Sequence, residues 1–150
     1  MICAFVRELA EYEHLANECR LTPETAFEHI LGPDRMADAL IAEFEGVPAG
    51  FAVYYRTLST FAARPGIFLE DLFVRPAFRR RGIGQALLRE VGRVAHRAGA
   101  GRLEWTALKW NTGALDLYQT VGAREMKEWV LLRMDAESLA RFADDRSTMP

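Results

Sequence analysis

The sequence predicts an α/β domain built on an open sheet of mixed strand directions, and three observations carry that expectation. Residues 67–74, IFLEDLFV, are rich in aromatic and branched side chains that suit a half-buried strand, and they lead through an arginine-rich turn into an amphipathic helix. From there onward, strand-like and helix-like segments alternate, the pattern of helices packed on a sheet. The 150 residues, 50% hydrophobic and 27% charged, match one soluble domain large enough to bury a core.

Taken in order, Phe5, Val6, Leu9, Tyr12 and Ala16 keep helical spacing, so the chain enters a helix almost at once. Thr22 suits an N-cap with Pro23 at the first helical position, and Gly32-Pro33 stops this second helix. Residues 39–45 and 51–58 read as the strands of a hairpin turning over 46–50, and 60–66 read as a loop. After the strand at 67–74, Pro76 ends the ladder because it has no N–H to donate. Ile83, Leu87, Val91, Val94 and Ala98 line one face of a helix that Gly99 and Gly101 close. Residues 102–108 alternate as a strand, with Leu103, Trp105 and Ala107 on one side. Asn111 can cap the next helix, whose apolar side holds Ala114, Leu115, Tyr118 and Val121 before Gly122. Residues 129–134 read as a final strand, 135–143 as a short helix and 144–150 as a tail. The order is α-α-β-β-β-α-β-α-β in a single domain over 1–143, with right-handed crossovers.

The turn Arg79-Arg80-Arg81-Gly82-Ile83-Gly84 has a chemistry of its own. The first N–H groups of a helix lack internal acceptors and sit at the positive end of its dipole. Glycines there let a phosphate approach the backbone. The pattern is neither a Walker A loop nor a dinucleotide G-x-G-x-x-G. On these six residues alone, a phosphate cradle and a solvated basic turn are equally good readings.

Charge is unevenly spread. Residues 1–63 carry ten acids and four bases, 64–110 four acids and ten bases, and 111–150 seven acids and five bases. The positive field is confined to the central stretch, as a small anionic ligand favours, while the net charge of −2 argues against nucleic acid as a partner. Cys3 and Cys19 have no metal-ligand spacing and read as free thiols. With no long apolar run and no signal peptide, the cytoplasm is the expected location and no membrane contact is expected.

Four segments in order, Gly46-Val47-Pro48-Ala49-Gly50-Phe51, Leu69-Glu70-Asp71-Leu72-Phe73-Val74, the arginine-glycine turn and Trp110-Asn111 with Tyr118, resemble successive motifs of the Gcn5-related N-acetyltransferase (GNAT) superfamily. Within it the chain is most similar to the diamine (spermidine/spermine-type) N-acetyltransferases, a likeness to which Glu8-Leu9-Ala10-Glu11-Tyr12-Glu13 contributes. The resemblance implies a GNAT-like mixed sheet, splayed between the strand ending at Val74 and the strand ending near Leu108 and flanked by helices, with acetyl-CoA as co-substrate in the opening and no metal. Leu72, Phe73 and Val74 would flank its acetyl-pantetheine arm. Arg80, Arg81, Gly82, Ile83, Gly84 and Gln85 would hold the pyrophosphate with Arg79 beside it, and Asn111, Ala114 and Tyr118 would contact the cofactor from the next helix.

The resemblance also assigns roles in acetyl transfer. An alkyl ammonium has a pKa of about 10 in water and must lose its proton before it can attack. Glu70 corresponds to the group that accepts that proton, and Tyr118 to the acid that protonates the leaving thiolate. N–H groups near Phe73 would stabilise the developing oxyanion. Tyr12, Glu13, Glu70, Asp71 and Trp129 correspond to the amine-binding side, with Asp71 drawing a second ammonium. In a regular strand Glu70 and Asp71 face opposite ways, so both serve one site only if a bulge intervenes. The implied substrate is a small cationic amine (a diamine, a polyamine or a lysine-like amino acid), and the implied assembly is a homodimer. The alternatives are a protein or peptide N-acetyltransferase and a non-catalytic acyl-CoA-binding module. The chain departs from the superfamily in two ways. It lacks the usual N-terminal strand, which implies either a start codon placed too far downstream or a sheet short of one edge, and it carries Arg80-Arg81 where a small residue is common.

Overall fold

The computed structural model describes residues 1–144. Residues Met1–Asn111 form one compact unit and the chain from Thr112 a second. The first opens with helix α1, Ile2–Tyr12, followed by a 3-10 turn at Ala16–Glu18 and helix α2, Pro23–Ala26, which runs on as a π-helical turn, Phe27–Leu31. Thr22 caps α2 as its sequence predicts: its hydroxyl accepts from the Thr25 N–H, and the Thr25 hydroxyl accepts from the Thr22 N–H.

Strands β1 (Asp38–Phe44), β2 (Val47–Ser59), β3 (Arg64–Val74) and β4 (Arg102–Trp105) form one sheet in that order, antiparallel except for the parallel pair β3–β4. Helix α3, Ile83–Arg97, makes the crossover between β3 and β4. The first hairpin turns on Glu45 and Gly46, both with positive φ, so 47–50 belong to β2 rather than to the expected turn. Such a two-residue turn matches the twist of the strands it joins. β3 likewise begins at Arg64, inside the expected loop.

Alternation sorts the sheet into two faces. Phe51, Val53 and Phe73 pack against Ile2, Phe5 and Leu9 of α1 and against Ile30, with the Phe5 and Phe51 rings stacked at 5.3 Å. Ala52, Tyr54, Ile67 and Leu69 point the other way and are buried beneath α3, which contributes Leu87, Leu88, Val91 and Ala95.

The parallel ladder ends at Leu69–Trp105, so residues 70–74 continue beside β2 alone. This is the splay that the resemblance implied. It shortens β4: residues 106–108, apolar enough to extend the strand, have no ladder because β3 has left them.

In the second unit, helix α4 (Thr112–Thr120) closes at Gly122, and helix α5 (Ala136–Asp144) starts at Asp135, whose carboxylate accepts from the Ser138 N–H at 2.7 Å. The expected strand at 129–134 does not form; the segment has no ladder, and Val130, Leu131 and Leu132 are 79%, 71% and 84% exposed. Strand-like composition supplies no partner, and among the described residues none is present. Of the expected tail, Asp144 ends α5 and 145–150 lie outside the described residues.

Candidate active site

The pairing of β2 with β3 decides which side chains share the α1 face. Val53 pairs with Asp71 and Tyr54 with Leu69, so Glu70 is an extra residue with no opposite number. This is the bulge on which the reading of Glu70 and Asp71 depended. Asp71 aligns with Val53, and Glu70 accepts a hydrogen bond from Tyr55, which lies two residues on from Val53 and on the same face of β2. Burial pushes the Asp71 carboxyl up to about 6, and the neighbouring charges of Glu70 and Glu13 add to the effect. Glu13, at the C-cap of α1, is also raised by burial, and the Tyr55 phenol is raised first by burial and then by Glu70. Two partly desolvated carboxylates, Asp71 and Glu13, thus lie near the exposed Glu70, an arrangement that a cation relieves.

An aromatic wall borders this space. Tyr12 lies 6.2 Å from Phe73 and 5.5 Å from Trp110, ring centre to ring centre, and its hydroxyl donates to Asn111 Oδ1 at 3.3 Å. The Arg79 guanidinium stands 4.3 Å above the Tyr12 ring and 5.6 Å from Phe73, and its Nε–H donates to the Val74 carbonyl at 2.9 Å.

Beyond it lies the arginine-glycine turn. Arg80 and Gly82 both have positive φ, and a side chain at Gly82 would meet nothing within 4 Å. Gly82 gives α3 no side-chain cap, and the first bond of the helix runs from the Ala86 N–H to the Gly82 carbonyl, so the N–H groups of Ile83, Gly84 and Gln85 have no acceptor in the helix. Arg80 and Arg81 are exposed, with the Arg81 guanidinium 4.8 Å from the Phe44 ring centre.

Leu72 and Val74 are half-buried and Phe73 is buried at the splayed end of β3. Tyr118 and Ala114 lie half-buried in α4 of the second unit, and Trp129 is 73% exposed in the segment after it.

The sequence pattern of the Acetyltransferase (GNAT) family matches residues 5–123. The chain belongs to the GNAT acetyltransferase family. It is 33% identical to thialysine N-epsilon-acetyltransferase of Sus scrofa over 95% of this chain and 89% of that protein. It is 36% identical to L-ornithine N5-acetyltransferase NATA1 of Arabidopsis thaliana over 71% of this chain and 44% of that one. Among solved structures, an integron cassette protein from the mobile metagenome of V. cholerae superposes with a TM-score of 0.78 at 23% identity, covering 95% of this chain and 90% of that one.

GNAT enzymes take their acetyl group from acetyl-CoA, and the chain is an N-acetyltransferase of this kind. The turn fits the phosphates of that co-substrate: donors without acceptors and open space at Gly82 meet at one helix start, and two exposed arginines directly precede it.

Two neighbours of the site take no role from the motifs. Tyr55 reaches Glu70 diagonally across the β2–β3 pair, a contact that no composition signals. Trp110 reads as a packing residue, yet it is 49% exposed and forms part of the wall beside Tyr12; its place directly before Asn111 was the available clue.

Proposed function

We propose that this GNAT enzyme acetylates a primary amine of a small cationic substrate, a diamine, a polyamine or a lysine-like amino acid, within one catalytic domain over residues 1–143. The grouping of Glu13, Glu70 and Asp71 on the α1 face, produced by the bulge at Glu70, carries this reading. A second ammonium on the substrate is held by Asp71 and Glu13, and the Tyr12–Trp110 wall supplies the apolar side that an alkyl chain needs. Relatives named for thialysine and ornithine acetylation support an amine of this size.

In this reading Glu70 accepts the proton of the attacking ammonium, directly or through one water, with Tyr55 orienting its carboxylate. Backbone N–H groups at the end of β3, around Phe73, stabilise the charge that develops on the carbonyl oxygen. Tyr118 protonates the departing thiolate. Leu72 and Val74 flank the acetyl-pantetheine arm, residues 80–85 hold the pyrophosphate, and Asn111 and Ala114 complete the co-substrate side. Trp129 is assigned to the amine side.

The chain is further read as a cytoplasmic homodimer without nucleic-acid or membrane partners. The exposed apolar run at 130–132 and the exposed Leu139 and Phe142 of α5 support pairing with a second copy. No helix among the described residues is long and apolar enough to cross a membrane.

A thiol-release assay with acetyl-CoA and a panel of putrescine, spermidine, lysine-like amino acids and a basic peptide tests the central claim. Turnover on a small amine is expected to fall about 100-fold or more in Tyr118→Phe, the loss of a general acid. Turnover on the peptide alone, or an undiminished Tyr118→Phe rate, would overturn it.

A further inference from the structure

Five basic residues, Arg75, Arg79, Arg80, Arg81 and Arg89, lie within fifteen positions of one another. Their side chains do not act alike. Phe5, Glu8 and Tyr12 fall three and four residues apart and so form one stripe along α1. Arg75 takes the first two. Its guanidinium lies 4.4 Å from the Phe5 ring centre, Nε and Nη2 donate to the two oxygens of Glu8 at 2.8 and 2.7 Å, and Nη1 donates to the Pro48 carbonyl at 2.8 Å. Arg79, four residues later across the 3-10 turn Pro76–Phe78, takes the third through its contact with Tyr12 and its bond to Val74. The two arginines clasp a single helix face to the ends of β2 and β3.

We infer that Arg79 is a positioning residue for the amine side of the site, holding Tyr12 against the end of β3, and is not a ligand of the co-substrate's phosphates. The inference rests on the proposed function for what the amine side binds. Its physical basis is separate. A guanidinium stacked on one ring, close to a second, and hydrogen-bonded to the strand end is fixed in orientation, whereas Arg80 is exposed in the turn that opens α3 and the exposed Arg81 rests against Phe44 alone, away from Tyr12 and Phe73. Tyr12 in turn touches Asn111 and Trp110 and directly precedes Glu13, whose charge is felt by Asp71. Releasing Tyr12 therefore disturbs the amine pocket at two points, Trp110 and Glu13, and costs the co-substrate side one bond to Asn111, while leaving the turn at 80–85 in place. The positive charge of the central stretch divides accordingly: Arg75 and Arg79 organise α1, and Arg80 and Arg81 remain for an anion.

The test compares Arg79→Met, Arg79→Lys and Arg80→Met in the full chain. CoA affinity is measured by calorimetry at two salt concentrations, backbone hydrogen exchange over residues 9–14 by mass spectrometry, and KM separately for acetyl-CoA and amine. Arg79→Met is expected to leave the CoA Kd within about twofold, to speed exchange at 9–14 and to raise the amine KM about tenfold, with partial rescue in Arg79→Lys. Arg80→Met is expected to weaken CoA binding and flatten its salt dependence. An Arg79→Met variant that loses CoA affinity as Arg80→Met does, with exchange at 9–14 unchanged, overturns the inference. If Arg79→Met fails to fold, Tyr12→Leu, which removes the other half of the contact, must give the same exchange and the same unaltered CoA Kd. If no amine in the panel turns over, the proposed function fails, and the CoA and exchange measurements still decide the role of Arg79.

Discussion

Asp71 offers a direct measurement of how far the site is strained by its own charge. Its carboxyl is raised from 3.8 to about 6, chiefly by burial and then by Glu70 and Glu13. An acid whose folded pKa exceeds its unfolded value binds protons more tightly in the native state at intermediate pH. Its contribution to stability is therefore present at low pH, falls as the pH climbs through the interval between the two values, and is absent above the folded value. With these two values, linkage gives a loss of about 1.4 kcal/mol of unfolding free energy between pH 5 and pH 8, attributable to this one group. Asp71→Asn removes the titration with little change of volume. Urea unfolding at pH 5, 6, 7 and 8 should show the variant gaining on the parent by about that amount across the series. A saturating diamine should shrink the difference at pH 8, because a bound ammonium relieves the ionised carboxylate. A difference between the two proteins that stays flat from pH 5 to pH 8 would refute the placement of Asp71 in a desolvated acidic group.

Two glycines report on the other half of the site. A methyl group at Gly50 would stand 2.6 Å from the Phe73 carbonyl oxygen and 3.2 Å from Val74 Cγ2, so Gly50→Ala must push β3 away from β2. Thermal melting should fall by an amount equivalent to about 1–3 kcal/mol, and CoA affinity should fall with it; an unchanged melting curve would refute the close approach. Gly82 has φ of +77° and open space, so Gly82→Val meets strain and no clash. Its cost to stability should be about 1–2 kcal/mol, and calorimetry should find CoA binding weakened by a larger factor than that strain explains, whereas full affinity would remove the turn from the co-substrate's site.

The parts of this fold legible in the sequence are those set by local chemistry. Thr22 and Pro23 start α2, Pro76 ends β3, and the spacing from Ile83 to Val94 marks α3; each signal acts through its own few residues. What local chemistry does not carry is partnership. Residues 106–108 and 129–134 have strand composition, yet a strand exists only where another backbone meets it, and the bulge at Glu70 withdraws β3 from the first of these. The same limit governs the site. Glu70, Asp71 and Glu13 can be matched to a family pattern, but that they share one face depends on a single unpaired residue. Arg79 belongs by pattern to the phosphate turn, and only its contact with Tyr12, 67 positions earlier, places it elsewhere.

The bulge also fixes which way the end of β3 faces. Were Glu70 paired with Val53 as in a regular ladder, every position from there to the end of β3 would turn over. Leu72 and Val74 would face α1, Phe73 would leave the stack around Tyr12, and the connection carrying Arg75 would start from the wrong side of the sheet. A substitution at Glu70 keeps the bulge and removes one functional group; a deletion there would join Leu69 to Asp71 in regular register with β2 and leave the faces beyond as they are. At this point in the protein, the pairing of residues carries information that their identities do not.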